Sequence, residues 1–461
     1  MSDVMEKMQE RGQIYSDFYS NKLPKRMPVE ASFPNAMLAD HAGMDPVSYQ
    51  YDYAMLAKPA EELCGKIYSD SCPIAPPNIV GTRTPSIYEL LHSKNFVMGQ
   101  TGQVQHPEVV GMMAEEYPQL IEKGFDFLLE TVVPRQHPML SLEDPIKRST
   151  ALEMGKTALN NDTMGFIPIY MELIQKFGYY PGGPMGSMGI AEAPFDFVAD
   201  QLRSFSGISV DLRRNRSLIK EACEVVLPLV FAWGMPDVVH PEGAVILPLH
   251  MPTFMREKDF VEVYLPTFQK QLEQYAAVGV RPSIICEDDW SRYLDIIHDA
   301  FPAGTKLIFE YGDPRTIKDK LGEKFILSGL FPVQSLYLDT PEKIVDRAKE
   351  FLDIMMPGGG YLFSFDKQPI GGKDANVETW AALNEFLRDY MVYDNPGQSF
   401  GTPLNAEGFV RDLDVIPEVR SKYLFDWEEH KRLYPHTPDH AKARFEKISK
   451  DIFVSYMNLL I

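Results

Sequence analysis

Cysteine is scarce in this chain, with four among 461 residues (Cys64, Cys72, Cys223 and Cys286) and no CxxC pair between them. Such usage argues against a disulfide framework and fits free thiols in a reducing compartment. Basic residues are also short: 45 Lys and Arg face 65 Asp and Glu, a formal charge of −20, and no basic stripe interrupts the acidic surplus. That argues against non-specific nucleic-acid binding, because phosphate contact needs clustered cations, and it disfavours strongly anionic substrates. Long apolar runs are missing too. The longest, Val225–Met235, is broken by Pro228 and falls well short of the ~20 residues that span a bilayer. The first segment, MSDVMEKMQERGQIYSDFYSNK, has no central apolar core of the kind a secretion signal carries. The expectation is a soluble cytoplasmic protein with neither a nucleic-acid nor a membrane partner.

What is present is an ordinary globular composition, 45% hydrophobic and 11% aromatic, enough to bury a core without staples. An amphipathic first helix leads into a strand-like run at KRMPVEASFPNAMLADHAG, and residues 46–64 return to helical spacing. From Cys72 to Gln105 proline and glycine punctuate the chain, as in loops that cover a site. The segment YYPGGPMGSMG reads as a flexible Gly- and Met-rich loop, and a helix is expected to begin near Pro194. From Ala244 the rhythm clears. Strands AVILPLHMP, PSIICED, KLIFEYG, KFILSGLFP and YLFSF are each followed by a helical stretch. Five such units predict a parallel sheet covered by helices, with a barrel preferred to a doubly wound sheet. The rhythm stops beyond Asp394, so residues 1–394 are expected to form the barrel. Residues 395–461, ending in KARFEKISKDIFVSYMNLLI, would be an extension packed on it or on a partner subunit.

In a barrel, chemistry collects at the carboxyl ends of strands. Those positions hold His250, Glu287 with Asp288 and Asp289, Glu310 with Asp313, and Asp366 with Lys367. Carboxylates converging on one mouth repel unless a metal or shared protons compensate, so Glu287, Glu310 and Asp366 form the first candidate set. The competing reading is that such acids cap the following helices; it is preferred for Asp313, before Pro314, and stays open for Asp288 and Asp289. Cys286 reads as a buried wall thiol. His250 reads equally as ligand, proton donor or hydrogen-bonded mouth residue, and His106, His240 and His298 as structural or exposed. Neither GTRTPSIYELL nor GGPMGSMG has the spacing of a nucleotide loop.

Four segments carry a resemblance: APFDFVADQLR (193–203), FMREKDFVEVYLPTFQKQLEQYAAVGVRP (254–282), EDDW (287–290) and TPEKIVDRAKEFLDIMMPGGGYLFS (340–364). Their order resembles the uroporphyrinogen decarboxylase-like superfamily over residues 20–390. The resemblance implies a (β/α)8 TIM barrel, here with N-terminal and C-terminal helical extensions. The superfamily's porphyrinogen decarboxylases hold their substrate with an arginine-rich segment, and the corresponding VEASFPNAMLADHAG has no arginine. Its thiol methyltransferases carry a His-x-Cys zinc motif and a later cysteine. Here the first aligns with Ile285-Cys286-Glu287 and the second falls near Asp366 or Lys367, so the thiolates are gone.

Oxygen ligands make a harder Lewis acid than thiolates do, suited to an ether oxygen rather than a thiol. The resemblance therefore points to the corrinoid-dependent branch, and within it to aryl methyl ether O-demethylases. These pass a methyl group from a methoxylated aromatic to the Co(I) cobalamin of a separate corrinoid protein. The expected site is a divalent metal, zinc by preference, on Glu287, Glu310 and Asp366, with Glu287 and His250 catalytic. Met185, Met188, Met251, Phe254 and Asp289 would line an apolar substrate pocket, and the acidic extension allows a homodimer. Two alternatives stand beside this. One is a metal-independent methyltransferase, or a decarboxylase-like lyase, using a raised-pKa carboxylate as general acid. The other is a non-catalytic homologue that only binds a small molecule.

Overall fold

The computed structural model describes residues 3–45, 47–74, 86–99, 104–405, 407–413, 420–421 and 423–460, with the side chains of residues 162 and 163 also outside the description. Its centre is a six-stranded parallel sheet in sequential order: β1 Met188–Ile190, β2 Ala244–Leu249, β3 Pro282–Asp289, β4 Lys306–Tyr311, β5 Ile326–Gly329 and β6 Tyr361–Leu362. The helices that accompany it are α1 Asp3–Tyr19, α2 Pro145–Phe177, α3 Arg216–Gly234, α4 Leu265–Ala277, α5 Leu294–Ala300, α6 Pro314–Leu321, α7 Pro341–Met355, α8 Val377–Tyr390 and α9 Lys442–Leu460. From α3 to α8 a helix follows every strand, the arrangement that parallel neighbours require. The fold is an α/β barrel type with helical extensions, and the five strands expected from Ala244 onward all form.

Two further places in the ring are held by extended segments rather than regular strands. Val29 O accepts from Asp70 N at 2.8 Å, Asp70 O accepts from Tyr180 N at 2.7 Å, and Ser71 bridges Tyr180 in parallel. Regularity is lost because side chains take over the acceptor role: Val29 N donates to Asp70 Oδ2 at 2.8 Å and Ala31 N to Ser69 Oγ at 3.1 Å. Strand β1 was not expected, since its SMGI sequence has no readable alternation. It exists through close approach, because a Cβ on Gly189 would lie 2.0 Å from the Gly234 carbonyl at the end of α3. Only glycine lets that helix reach the strand.

Burial alternates along β2, with Val245, Leu247 and Leu249 buried and their neighbours half-buried, as a barrel wall requires. Helix α1 closes the amino-terminal end, where Arg11 caps α2 through bonds to the carbonyls of Phe177 (2.9 Å) and Gly178 (2.7 Å). Beyond residue 394, helix α9 packs on the chain's own body. In α9, Phe453 packs against Phe125 with the rings tilted at 57° and centroids 4.9 Å apart, Asn458 accepts from Trp233 Nε1 at 2.7 Å, and Leu459 O meets His137 Nε2 at 2.7 Å. No helix among the described residues is long and apolar enough to cross a membrane.

Candidate active site

The carboxyl ends of β1 and β2 open onto a cleft of about 480 Å³ walled by Phe96, His106, Ile190, Phe205 and Pro248, with Glu192, Asp200, Gln201 and His250 as its main polar groups. Local sequence explains how they arrive there. Strand β1 ends at Ile190, so Glu192 falls just past the rim, and Pro194 then starts a helix where its missing N–H costs nothing. From Phe197 to Arg203 that helix widens to π-type turns, a distortion common at functional sites. It holds Asp200 and Gln201 in the cleft and ends at Ser204, whose φ is +66°.

Strand β2 ends at Leu249, and the turn after it is fixed by Asp196. This fully buried carboxylate accepts from His250 N at 2.9 Å, from Met251 N at 3.0 Å and from the Tyr264 hydroxyl. His250 Nδ1 lies 2.6 Å from Glu287 Oε2. Glu287 owes its position to an irregularity in β3, where the register shifts between Cys286 and Asp289 and Asp288 takes a left-handed φ of +57°, a conformation that Asp tolerates better than most residues. Trp290 Nε1 then donates to the Glu287 carbonyl at 3.1 Å.

Electrostatically the cleft is unusual. The hydrogen bond to Glu287 pushes His250 up to about 10, so its imidazole is a cation at neutral pH. Burial, reinforced by Asp200, pushes Glu192 up to about 8, and burial with Asp196 pushes Asp200 up to about 7. Glu192 Oε1 accepts from Gln201 Nε2 at 2.8 Å, but Glu192 Oε2 and Asp200 Oδ2 are buried without any hydrogen-bond partner. Burial lowers His106, with the nearby His250 adding to the effect, and its ring stacks on Phe96 at 4.7 Å. The arrangement offers a neutral carboxyl proton and an imidazolium side by side, a pairing suited to protonating and stabilising a departing oxygen.

The expected metal ligands lie around Lys367 and are paired separately rather than grouped about one point. Glu287 pairs with His250; Glu310 takes Lys367 Nζ at 3.2 Å and Asp288 N at 2.9 Å; Asp366 accepts from the backbone of Val333 (2.8 Å) and Lys367 (2.7 Å). Each carboxylate already has its own donor, and no group of three His, Cys, Asp or Glu among the described residues could hold an ion. The donor set does not fit the expected metal.

The expected pocket also needs correction. Met185 and Met188 precede or begin β1, so they stand at the amino end of the strand, and Met185 is 93% exposed. Met251 is buried under the turn, and Asp289 is exposed with Ser291 N donating to it at 2.8 Å. Phe254 does stand beside the cleft, edge-on to Phe205 at 5.0 Å. Asp313 caps α6, accepting from Thr316 N at 3.0 Å, and Cys286 is a buried thiol raised far above its usual range by burial, both as expected. His106, read as structural or exposed, is exposed and also lines the cleft. Residues 75–85 and 100–103 of the stretch read as covering loops lie outside the described residues. Glu192, Asp196 and Asp200 were missed; their signal was three acids at four-residue spacing inside the apolar AEAPFDFVADQLR.

The chain matches no known family profile and no curated protein. Among solved structures it is similar to a methyltransferase from Methanosarcina mazei. The two share 16% identity at a TM-score of 0.50, over 83% of this chain and 98% of that one. The likeness is one of fold.

Proposed function

We propose that the chain is a methyltransferase that removes a methyl group from an ether oxygen of a methoxylated aromatic and delivers it to a corrinoid carried by a separate protein. The observation that carries this reading is the pair of partnerless carboxyl oxygens, on Glu192 and Asp200, facing the barrel-mouth cleft beside the His250–Glu287 pair. Such groups are costly to bury and have an evident use if a substrate oxygen takes their proton. The likeness in fold to a methyltransferase and the aromatic walls of the cleft, Phe96 and Phe205, support the same reading.

In this scheme the aromatic ring lies against Phe96 and Phe205, and its ether oxygen points toward Glu192. A corrinoid on a partner docked at the mouth would supply the nucleophile for the methyl carbon. As the methyl–oxygen bond breaks, Glu192 gives its proton to the phenolate oxygen, and His250, held as a cation by Glu287, stabilises the developing negative charge. Asp200 then re-protonates Glu192 from the cleft. Asp196 and Tyr264 position the His250 turn without touching substrate.

The test is incubation with a reduced corrinoid carrier and a panel of methoxylated aromatics, following the absorbance change of the corrinoid on methylation. A change with at least one donor that survives exhaustive chelation and disappears in Glu192→Gln is expected. No change with any donor would overturn the proposal, and loss of turnover on chelation would return the mechanism to a metal.

A further inference from the structure

A second cavity, sharing no wall residue with the mouth cleft, occupies about 230 Å³ between the start of α2, the helical segment 129–134 and the C-terminal extension. Leu129, Val133, Pro134, Leu140 and Leu152 line its apolar side, Tyr423 and Tyr456 line it from the extension, and Ser149 and Arg148, its one charged group, add polar surface. Arg148 is half-buried, and among the described residues its guanidinium has neither an ion pair nor a hydrogen bond.

That solitude is informative in an acidic chain. Among the other buried or half-buried arginines, Arg11 and Arg26 hold Asp70, Arg135 holds Glu116, Arg203 holds Asp211, Arg216 holds Asp259 and Arg388 holds Asp389. Arg281 bonds to the Gly304 and Tyr19 carbonyls. With 65 acids for 45 bases, a carboxylate partner for Arg148 would have been easy to supply from within. An unpaired guanidinium lining a small cavity of mixed polar and apolar surface matches one chemistry well, a carboxylate attached to a compact hydrocarbon body. The volume lies below that of drug-sized pockets, so the body is no larger than one ring or a short branched chain.

We infer that this cavity binds a small monocarboxylate with a compact hydrocarbon body, held by Arg148 beside Tyr423 and Tyr456 of the C-terminal extension. The inference is independent of the activity proposed for the mouth. The test is calorimetric titration of the full chain with benzoate and with its neutral isostere benzamide. Benzoate is expected to bind saturably and benzamide at least about tenfold more weakly, as loss of a charge-assisted pair implies. Arg148→Met and the cavity-filling Leu152→Phe are each expected to abolish benzoate binding, and the mouth variant Glu192→Gln/Asp200→Asn to leave it unchanged. Absence of benzoate binding to the folded wild type, equal binding of benzamide, binding that survives both cavity variants, or its loss in the mouth variant would each overturn the assignment.

Discussion

The two ends of the barrel use the same residue types to opposite effect. At the amino-terminal end, Asp70 is fully buried yet saturated: it accepts from Arg26 at 2.6 and 2.7 Å, from the Tyr68 hydroxyl at 2.7 Å and from Val29 N at 2.8 Å. Around it Tyr15 donates to Glu30 at 2.7 Å and stacks on Tyr180 at 4.3 Å, while Tyr180 bonds to Glu242. At the carboxyl-terminal end, Glu192 is buried and Asp200 half-buried, and each has one buried oxygen without a partner. Acids with their lone pairs filled hold the floor together; acids with lone pairs vacant are available to a substrate. Barrels divide stability and chemistry between their ends in this way.

The sharpest way to break the comparison is to neutralise the mouth acids. Glu192→Gln with Asp200→Asn should lower turnover about 10²–10⁴-fold, the range of a lost general acid, while the protein stays folded. Stability should respond in the reverse sense. A carboxyl raised to about 8 when folded binds its proton more tightly than in the unfolded chain, so its contribution declines as pH climbs from the ordinary carboxylate range through 8. Denaturation at pH 8 should show the double variant no less stable than wild type; a large loss there would make these acids structural.

On the floor the expectation is inverted. Asp70→Asn should cost about 3–5 kcal/mol of stability, the effect of breaking a buried ion pair, read as a lower urea midpoint. Turnover per folded molecule should be unchanged. Between these extremes stands Glu287→Gln, which removes the main cause of the raised His250. NMR titration should find the His250 midpoint falling from about 10 toward the ordinary histidine value, with activity declining above neutral pH where wild type keeps its cation. The wild-type pair contributes stability that is complete below pH 6.5 and is lost as pH rises through 10; the variant should lack that slope. The smallest effect is reserved for a plain cap. Asp313→Ala should cost about 1 kcal/mol by thermal denaturation with no change in turnover, the outcome that separates a helix cap from a mouth carboxylate.

Much of this was legible along the chain. Alternation in the five strands from Ala244 and the helices after them placed the barrel's second half, and the strand-end rule brought His250 and Glu287 forward together. They do meet, at 2.6 Å. What could not be read was partnership. Glu310 and Asp366 sit at strand ends as expected, but Lys367 and backbone amides claim them first. The Met-rich loop seemed suited to a pocket by composition, yet a loop before a strand opens at the other end of the barrel from a loop after it, and β1 was too short to be recognised.

Sequence by itself determined the strands and helices from Ala244 onward and the polarity of their sheet, because periodicity and proline or glycine punctuation act over a few residues. It also determined that acids would crowd the mouth, since their positions follow from where strands end. The tertiary structure decided which of those acids are satisfied and which are not. That depends on groups far away in the chain, such as Tyr264 reaching Asp196 and Arg26 reaching Asp70. Unmet hydrogen-bonding capacity is a property of the assembled interior, and among the described residues it is what separates Glu192 and Asp200 from the other carboxylates.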